Sequence, residues 1–269
     1  MADLHSRIVD MNTLEQLSAG KTVVHALHPL AKLLVTLAFL IAVVSFDRYA
    51  LGRLVPFVFY PVILMAVADI PYGLILKRTL VALPFGLFAG LSNVFFDRAV
   101  LVRIEGIGIS GGWISLLAIL FRTLLSVSAV LILVAITPFH ELTAQLRKLR
   151  VPEIFVGLFD ITYRYIGTLI EEAFGMNTAY RLRAGQAKGL DMRHMGSFVG
   201  HLLIRSADRA ERVYAAMKCR GYPNRRGGSR TGPFRLWDGV FLFGVTGMIV
   251  VLRAVDVSAV MAACCGRWL

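Results

Sequence analysis

The sequence predicts an all-α integral membrane protein: about five transmembrane helices, with a basic, water-exposed region of three helices inserted before the last of them. Three observations carry this. The composition is too apolar for water, apolar runs recur near bilayer length, and one long basic insert has helical periodicity. Hydrophobic residues make up 57% of the 269, charged residues 17%, and mean hydropathy is +0.68. Soluble domains have about 45–50% apolar and about 25% charged residues. The excess apolar surface must face lipid.

The apolar runs occupy residues 30–46, 54–70, 80–96, 113–136 and 236–255. A span needs about 20 residues, and flanking residues or tilt make up the length of the shorter runs. Pro56, Pro61 and Pro84 lie inside runs, which membrane helices tolerate when neighbours satisfy the freed carbonyls. Residues 1–28 carry Asp3, His5, Arg7, Asp10 and Glu15 without an apolar run, so a secretory signal is not expected there.

The net charge is +12 and the pI about 10.1. Most of the basic excess falls in residues 138–235, which the positive-inside rule places in the cytoplasm. Lys77 and Arg78 are expected to end an inner loop after the second span, and residues 47–53 and 97–112 to be outer loops. The resulting topology has the N-terminus inside and the C-terminus outside. Three parts follow: 1–136 with four spans, 137–235 as cytoplasmic helices, and 236–269 with the fifth span and a tail. Nucleic-acid binding is a poor fit, because the arginines flank apolar spans and no zinc-ligand spacing or nucleic-acid signature occurs.

The insert reads as helices. Residues 139–149 are short and amphipathic, ended by Val151-Pro152. Next, Leu158, Ile161, Tyr165, Leu169, Ala173, Met176 and Tyr180 recur at steps of three and four, one face of a helix. Run straight from Pro152 to Gly189, it would be about 57 Å long. Phe198, Leu202, Leu203, Ala207, Ala210, Val213, Tyr214 and Met217 define a second face, which stops at Gly221, Tyr222 and Pro223. A Gly/Arg-rich loop, 224–233, leads to the last span. Both long helices end in a small-basic-Gly triplet: Ala187-Lys188-Gly189 and Cys219-Arg220-Gly221.

A cation followed by glycine is good helix-end chemistry. The cation meets the negative end of the dipole, and the glycine takes the left-handed cap. The same residues are also suited to contact: Arg220 to hold a carboxylate bidentately, Lys188 to act as a point charge. Two tips equivalent in form suit a partner with two equivalent sockets.

Other polar residues form no catalytic pattern. The six histidines (5, 25, 28, 140, 194 and 201) show no metal-ligand motif, and His25 and His28 are read as structural or interfacial. Cys219, Cys264 and Cys265 contain no CxxC pair. Gly106, Gly108, Gly111 and Gly112 lack the P-loop Lys-Ser/Thr and are read as a turn into the fourth span. Arg122 is the clearest intramembrane charge, with Asp69 near a span end. One arginine without an evident acid partner, in spans with few polar side chains, is poor machinery for a membrane enzyme or a self-contained carrier, the two alternatives from other classes.

Taken in order, several motifs resemble a known family. His28-Pro29-Leu30-Ala31-Lys32 opens the first span. Residues 105–112 (EGIGISGG) precede the fourth, which holds Arg122. Thr137-Pro138 starts the insert, followed by 146–152 (LRKLRVP), Tyr163-Arg164-Tyr165-Ile166 and Met217-Lys218-Cys219-Arg220-Gly221-Tyr222. From about His25 to Val255 the chain resembles the T component of energy-coupling factor importers, in the cobalt/nickel CbiQ/NikQ-like branch. The resemblance implies a non-catalytic coupling subunit of the bacterial or archaeal cytoplasmic membrane. Its expected partners are two cytoplasmic ABC-type ATPase subunits and a membrane substrate-capture subunit of the CbiM/NikM type, with a small accessory membrane subunit in some systems. ATP would be bound by the partners, with no cofactor in this chain. The coupling residues carried over are Ala187, Lys188, Gly189, Cys219, Arg220 and Gly221. Lys188 stands where arginine is usual and Cys219 where alanine is common, and Arg183 upstream is expected to share the first contact.

Overall fold

The computed structural model describes residues 17–18, 20, 22–47, 50–96, 100–104, 107–183, 192–222 and 234–254. Contacts divide the chain into two units: Met1–Gln145 with Thr231–Leu269, and Leu146–Arg230.

The first unit is built from apolar helices. A short α1 (Val23–Ala26) precedes α2 (Pro29–Val44). His28 opens α2: its backbone is extended, its ring Nδ1 accepts the Leu30 N–H at 3.1 Å, and Pro29 fills the first helical position. Proline suits that position because the missing N–H has no helical partner there. The second run is composite, α3 (Leu51–Leu54), a 3-10 turn (Val55–Val58) and α4 (Phe59–Ala68). Pro56 falls in the 3-10 turn. Asp69, left-handed at φ +56°, ends α4, with the Ile70 N–H returning to the Met65 carbonyl at 3.1 Å.

The third run differs from the sequence expectation. It begins in α5 (Tyr72–Leu80) and continues, after a bend of 46°, in α6 (Leu83–Phe96). Pro84 explains the break, because its ring clashes with the carbonyl four residues back, that of Leu80. Lys77 and Arg78 therefore lie in the last turn of α5, not in a loop. There they face the negative end of the helix dipole.

Residues 100–104 and 107–110 are strands, where the sequence suggests an outer loop and a glycine turn. Strands β1 (Val100–Ile104) and β2 (Ile107–Ser110) pair antiparallel, Val102 opposite Ile109 and Ile104 opposite Ile107. The β-branched residues at alternate positions favour this hairpin. The all-α class stands, with this one short hairpin among the described residues. Gly111 and Gly112 open α7 (Gly111–Ile136), and α11 (Leu236–Ala254) follows the second unit.

Of the five predicted spans, Leu51–Ala68, Gly111–Ile136 and Leu236–Ala254 are long and apolar enough to cross a bilayer. Tyr72–Leu80 with Leu83–Val94 forms one bent pair. The first, Pro29–Val44, is apolar but has only 16 residues. Its length of about 24 Å falls short of the ~30 Å hydrocarbon core.

An aromatic stack centres the packing, with Phe39 against Tyr60 at 4.2 Å and Phe57 wedged between Phe39 and Phe46. On α6, Gly86 and Gly90 form a small-xxx-small face against α7. A Cβ at Gly90 would lie 3.1 Å from Leu116 Cγ and 3.3 Å from its Cα. Small residues let membrane helices approach closely, where van der Waals contact replaces the hydrophobic effect. Arg122 donates from α7 to the Phe46 carbonyl at 2.9 Å, and Arg253 from α11 to the Ser45 carbonyl at 3.0 Å while lying over the Phe46 ring. Both arginines thus satisfy carbonyls where α2 ends, groups that lipid cannot hydrogen-bond.

From α8 (Phe139–Lys148) the chain passes into the second unit. Arg150, left-handed at φ +64°, ends that helix, with the Val151 N–H bonded to the Leu146 carbonyl at 3.2 Å. Pro152 prevents continuation. Then come α9 (Glu153–Arg183) and α10 (Met192–Cys219), about 46 Å and 42 Å long.

Candidate coupling site

The two long helices run antiparallel. Near one end Tyr180 meets His194, hydroxyl to Nδ1 at 3.3 Å. Midway, Glu172 of α9 accepts from Arg205 of α10 at 3.5 Å and forms an ion pair with Arg209 of α10 at 3.0 Å. At the other end the Tyr222 hydroxyl approaches Gly157. The periodic faces read from sequence meet here: Ile161, Tyr165 and Leu169 share a groove of about 440 Å³ with Ala210, Val213, Tyr214, Met217 and Tyr222. Much apolar surface stays open on the same helices, Leu158 at 61% and Leu203 at 67% exposure.

The end of α10 is a complete Schellman cap. The Gly221 N–H returns to the Lys218 carbonyl at 3.0 Å and the Tyr222 N–H to the Met217 carbonyl at 3.0 Å. Gly221 supplies the left-handed residue at φ +82°. Tyr222 and Met217 line the same groove, the apolar contact that accompanies this cap. Lys218 folds back over the Tyr214 ring at 5.7 Å. Cys219 and Arg220 are exposed. The backbone is thus locked while the Arg220 guanidinium points into solvent at the negative end of a 28-residue helix.

Arg183 is the last residue of α9 and lines a cleft with His194, His201 and Arg205 of α10. Ala187, Lys188 and Gly189 lie outside the described residues. Since the helices are antiparallel, the ends of α9 and α10 fall at opposite ends of the pair. Arg183 lies beside the start of α10 and Arg220 beside the start of α9, about one helix length of 42 Å apart.

Sequence reasoning missed a buried polar knot in the first unit. Lys32, 2% exposed, donates to the His25 carbonyl at 3.0 Å and to the Ile136 carbonyl at 3.0 Å. Asp238, 3% exposed, accepts the His28 N–H at 2.7 Å and the Arg235 N–H at 2.7 Å. The His25 Nε2–H donates to the Leu17 carbonyl at 2.9 Å, which leaves Nδ1 to accept from the Thr22 hydroxyl at 2.6 Å. Burial holds that ring below the ordinary imidazole range, outweighing the Leu17 and Ala135 carbonyls that favour the proton. A lysine one turn into an apolar helix, and an acid three residues into another, were the available signals.

Apolar helices of membrane-spanning length in the first unit and a long antiparallel helix pair in the second define an α-helical membrane protein. The family of CbiQ cobalt transport proteins matches residues 20–229, and the chain belongs to it. Among relatives, the cobalt transport protein CbiQ of Rhodobacter capsulatus is 36% identical over 87 residues, 32% of this chain and 36% of that protein. An uncharacterized protein of Methanocaldococcus jannaschii is 30% identical over 158 residues, 58% and 57% of the two chains. The energy-coupling factor transporter transmembrane protein EcfT of Ruminiclostridium cellulolyticum is 26% identical over 263 residues, 89% and 93%. Apart from the last, these matches span little more than half of the relative, or less.

Proposed function

We infer that this chain is the transmembrane coupling subunit of an energy-coupling factor importer for cobalt or nickel ions. It would sit in the cytoplasmic membrane with its N-terminus inside. Its role would be to link two ABC-type ATPase subunits, which bind the ATP, to a CbiM/NikM-type capture subunit. It would carry no cofactor and catalyse no reaction. The observation that carries this reading is the antiparallel α9–α10 pair, with its basic ends about 42 Å apart and its apolar groove open. One end would sit in each ATPase. ATP-driven closure would move the ends, and the long helices would pass that movement to the spans and the capture subunit.

The test is ATP-dependent cobalt and nickel uptake by proteoliposomes holding the whole complex. Arg220→Glu and Lys188→Glu should abolish uptake and loosen ATPase co-purification while the membrane chain stays folded. Full uptake with both variants, and ATPase still bound, would reduce the triplets to helix caps.

A further inference from the structure

The knot around Lys32 straddles a break in the chain. Helix α7 ends at Ile136, Thr137-Pro138 interrupts it, and α8 begins at Phe139. Pro138 has no N–H to continue the α7 ladder, so the junction is a natural flexing point. Lys32 donates to the carbonyl just before the break, that of Ile136. Its charge lies within electrostatic reach of Glu141, in the first turn of α8 just beyond the break, and of Asp238 on α11. Asp238 in turn holds the His28 N–H at the start of α2 and the Arg235 N–H before α11. The buried ammonium thus joins the end of α7 to the His25 carbonyl of α1 by hydrogen bonds, with the charges of Glu141 on α8 and Asp238 on α11 in its field.

Such a placement has a cost. A buried ammonium is unfavourable unless paired, and an apolar residue would fill the same volume with less loss of solvation. Capping the last carbonyl of α7 offsets part of that, because the group has no intrahelical partner and lipid offers none. That accounts for the bond to Ile136, but not for acids on two further helices around the same charge. The arrangement makes mechanical sense at this place, because α8 is the segment by which the chain enters the second unit.

We propose that Lys32, with Glu141 and Asp238, is a positioning group that stiffens the α7–α8 junction, so that displacement of α8 is carried into α2 and α11 instead of being absorbed by bending at Thr137-Pro138. This rests on the coupling-subunit reading above and adds the point at which movement enters the spans. Lys32 acts through the helices it joins; it touches neither ATP nor cargo.

The experiment uses the full complex in proteoliposomes and reads two quantities, metal ions taken up and ATP hydrolysed. Glu141→Gln keeps the side chain's shape and removes only its charge. Lys32→Met removes the ammonium, and Lys32→Arg restores a cation. Glu141→Gln and Lys32→Met should assemble and hydrolyse ATP as wild type does, while ions moved per ATP fall at least about fivefold. The double variant should fall no further than Lys32→Met alone. Lys32→Arg should recover part of the ratio. Hydrogen exchange at 137–142 should quicken in both single variants. A merely structural role gives the opposite pattern: less assembled complex, with a normal ratio in what remains. That result, or an unchanged ratio in both variants, overturns the proposal. If the wild-type complex takes up neither ion, the transport reading itself fails and this inference falls with it.

Discussion

At Gly221 a single backbone angle decides how the Arg220 tip is built. A side chain at φ +82° is strained, although a Cβ there would meet nothing within 4 Å. Gly221→Ala should therefore cost about 1 kcal/mol through backbone conformation alone. It should loosen the cap, read as faster exchange of the Gly221 and Tyr222 amides. Arg150 presents the reverse case, a non-glycine at φ +64°. Arg150→Gly should stabilise by about 0.5–1 kcal/mol, a rise of about 2 °C in a detergent thermal shift. A fall in melting temperature would show that the Arg150 side chain contributes more than its backbone costs. The first cap was legible in the sequence because Cys219-Arg220-Gly221 follows a periodic run. The second was not, because arginine gives no left-handed signal, and only Pro152 announced that a helix had ended.

Among the elements, α6 and α7 pack through Gly86 and Gly90. Gly90→Leu should destabilise the fold by about 1–3 kcal/mol, since Leu116 backbone and side chain occupy the space the new atoms need. Gly73→Leu on α5, where nothing lies within 4 Å, is the matched control and should leave the melting point unchanged or slightly raised, because glycine is a poor helix former. An equal loss at both sites would mean that packing against Leu116 does not set the outcome. Most elements were legible. Periods of three and four marked α9 and α10, and apolar length marked α7 and α11. The bent third span was not, because the amphipathic α5, with Lys77 and Arg78, reads as a loop flanking an apolar run. The β1–β2 hairpin was masked by its glycines, which signalled a turn while Val102, Ile104, Ile107 and Ile109 carried the strand pattern. The polar knot was hidden for a different reason. Its bonds run between residues far apart in sequence, such as His28 and Asp238, and no local period records them.

For the whole molecule, α11 is the one apolar helix among the described residues between the second unit and the C-terminal tail, so if it crosses the membrane the two are expected on opposite sides. Cys219, a free and exposed thiol, should react with a membrane-impermeant maleimide only in inverted vesicles. Cys264 and Cys265, tested in a Cys219→Ser background, should react only from the outer face. Labelling of all three from one side would mean that α11 does not cross the membrane.

The antiparallel arrangement of α9 and α10 also restricts which movements the pair can perform. A continuous α-helix resists compression along its axis, since shortening it would break its hydrogen-bond ladder. Two bodies gripping its opposite ends cannot approach each other along that line, because the helix between them is a strut. They can close only by swinging about it, one end rising as the other falls. Held in this way, the pair would turn an inward squeeze into a tilt, with its direction fixed by the slope of the strut.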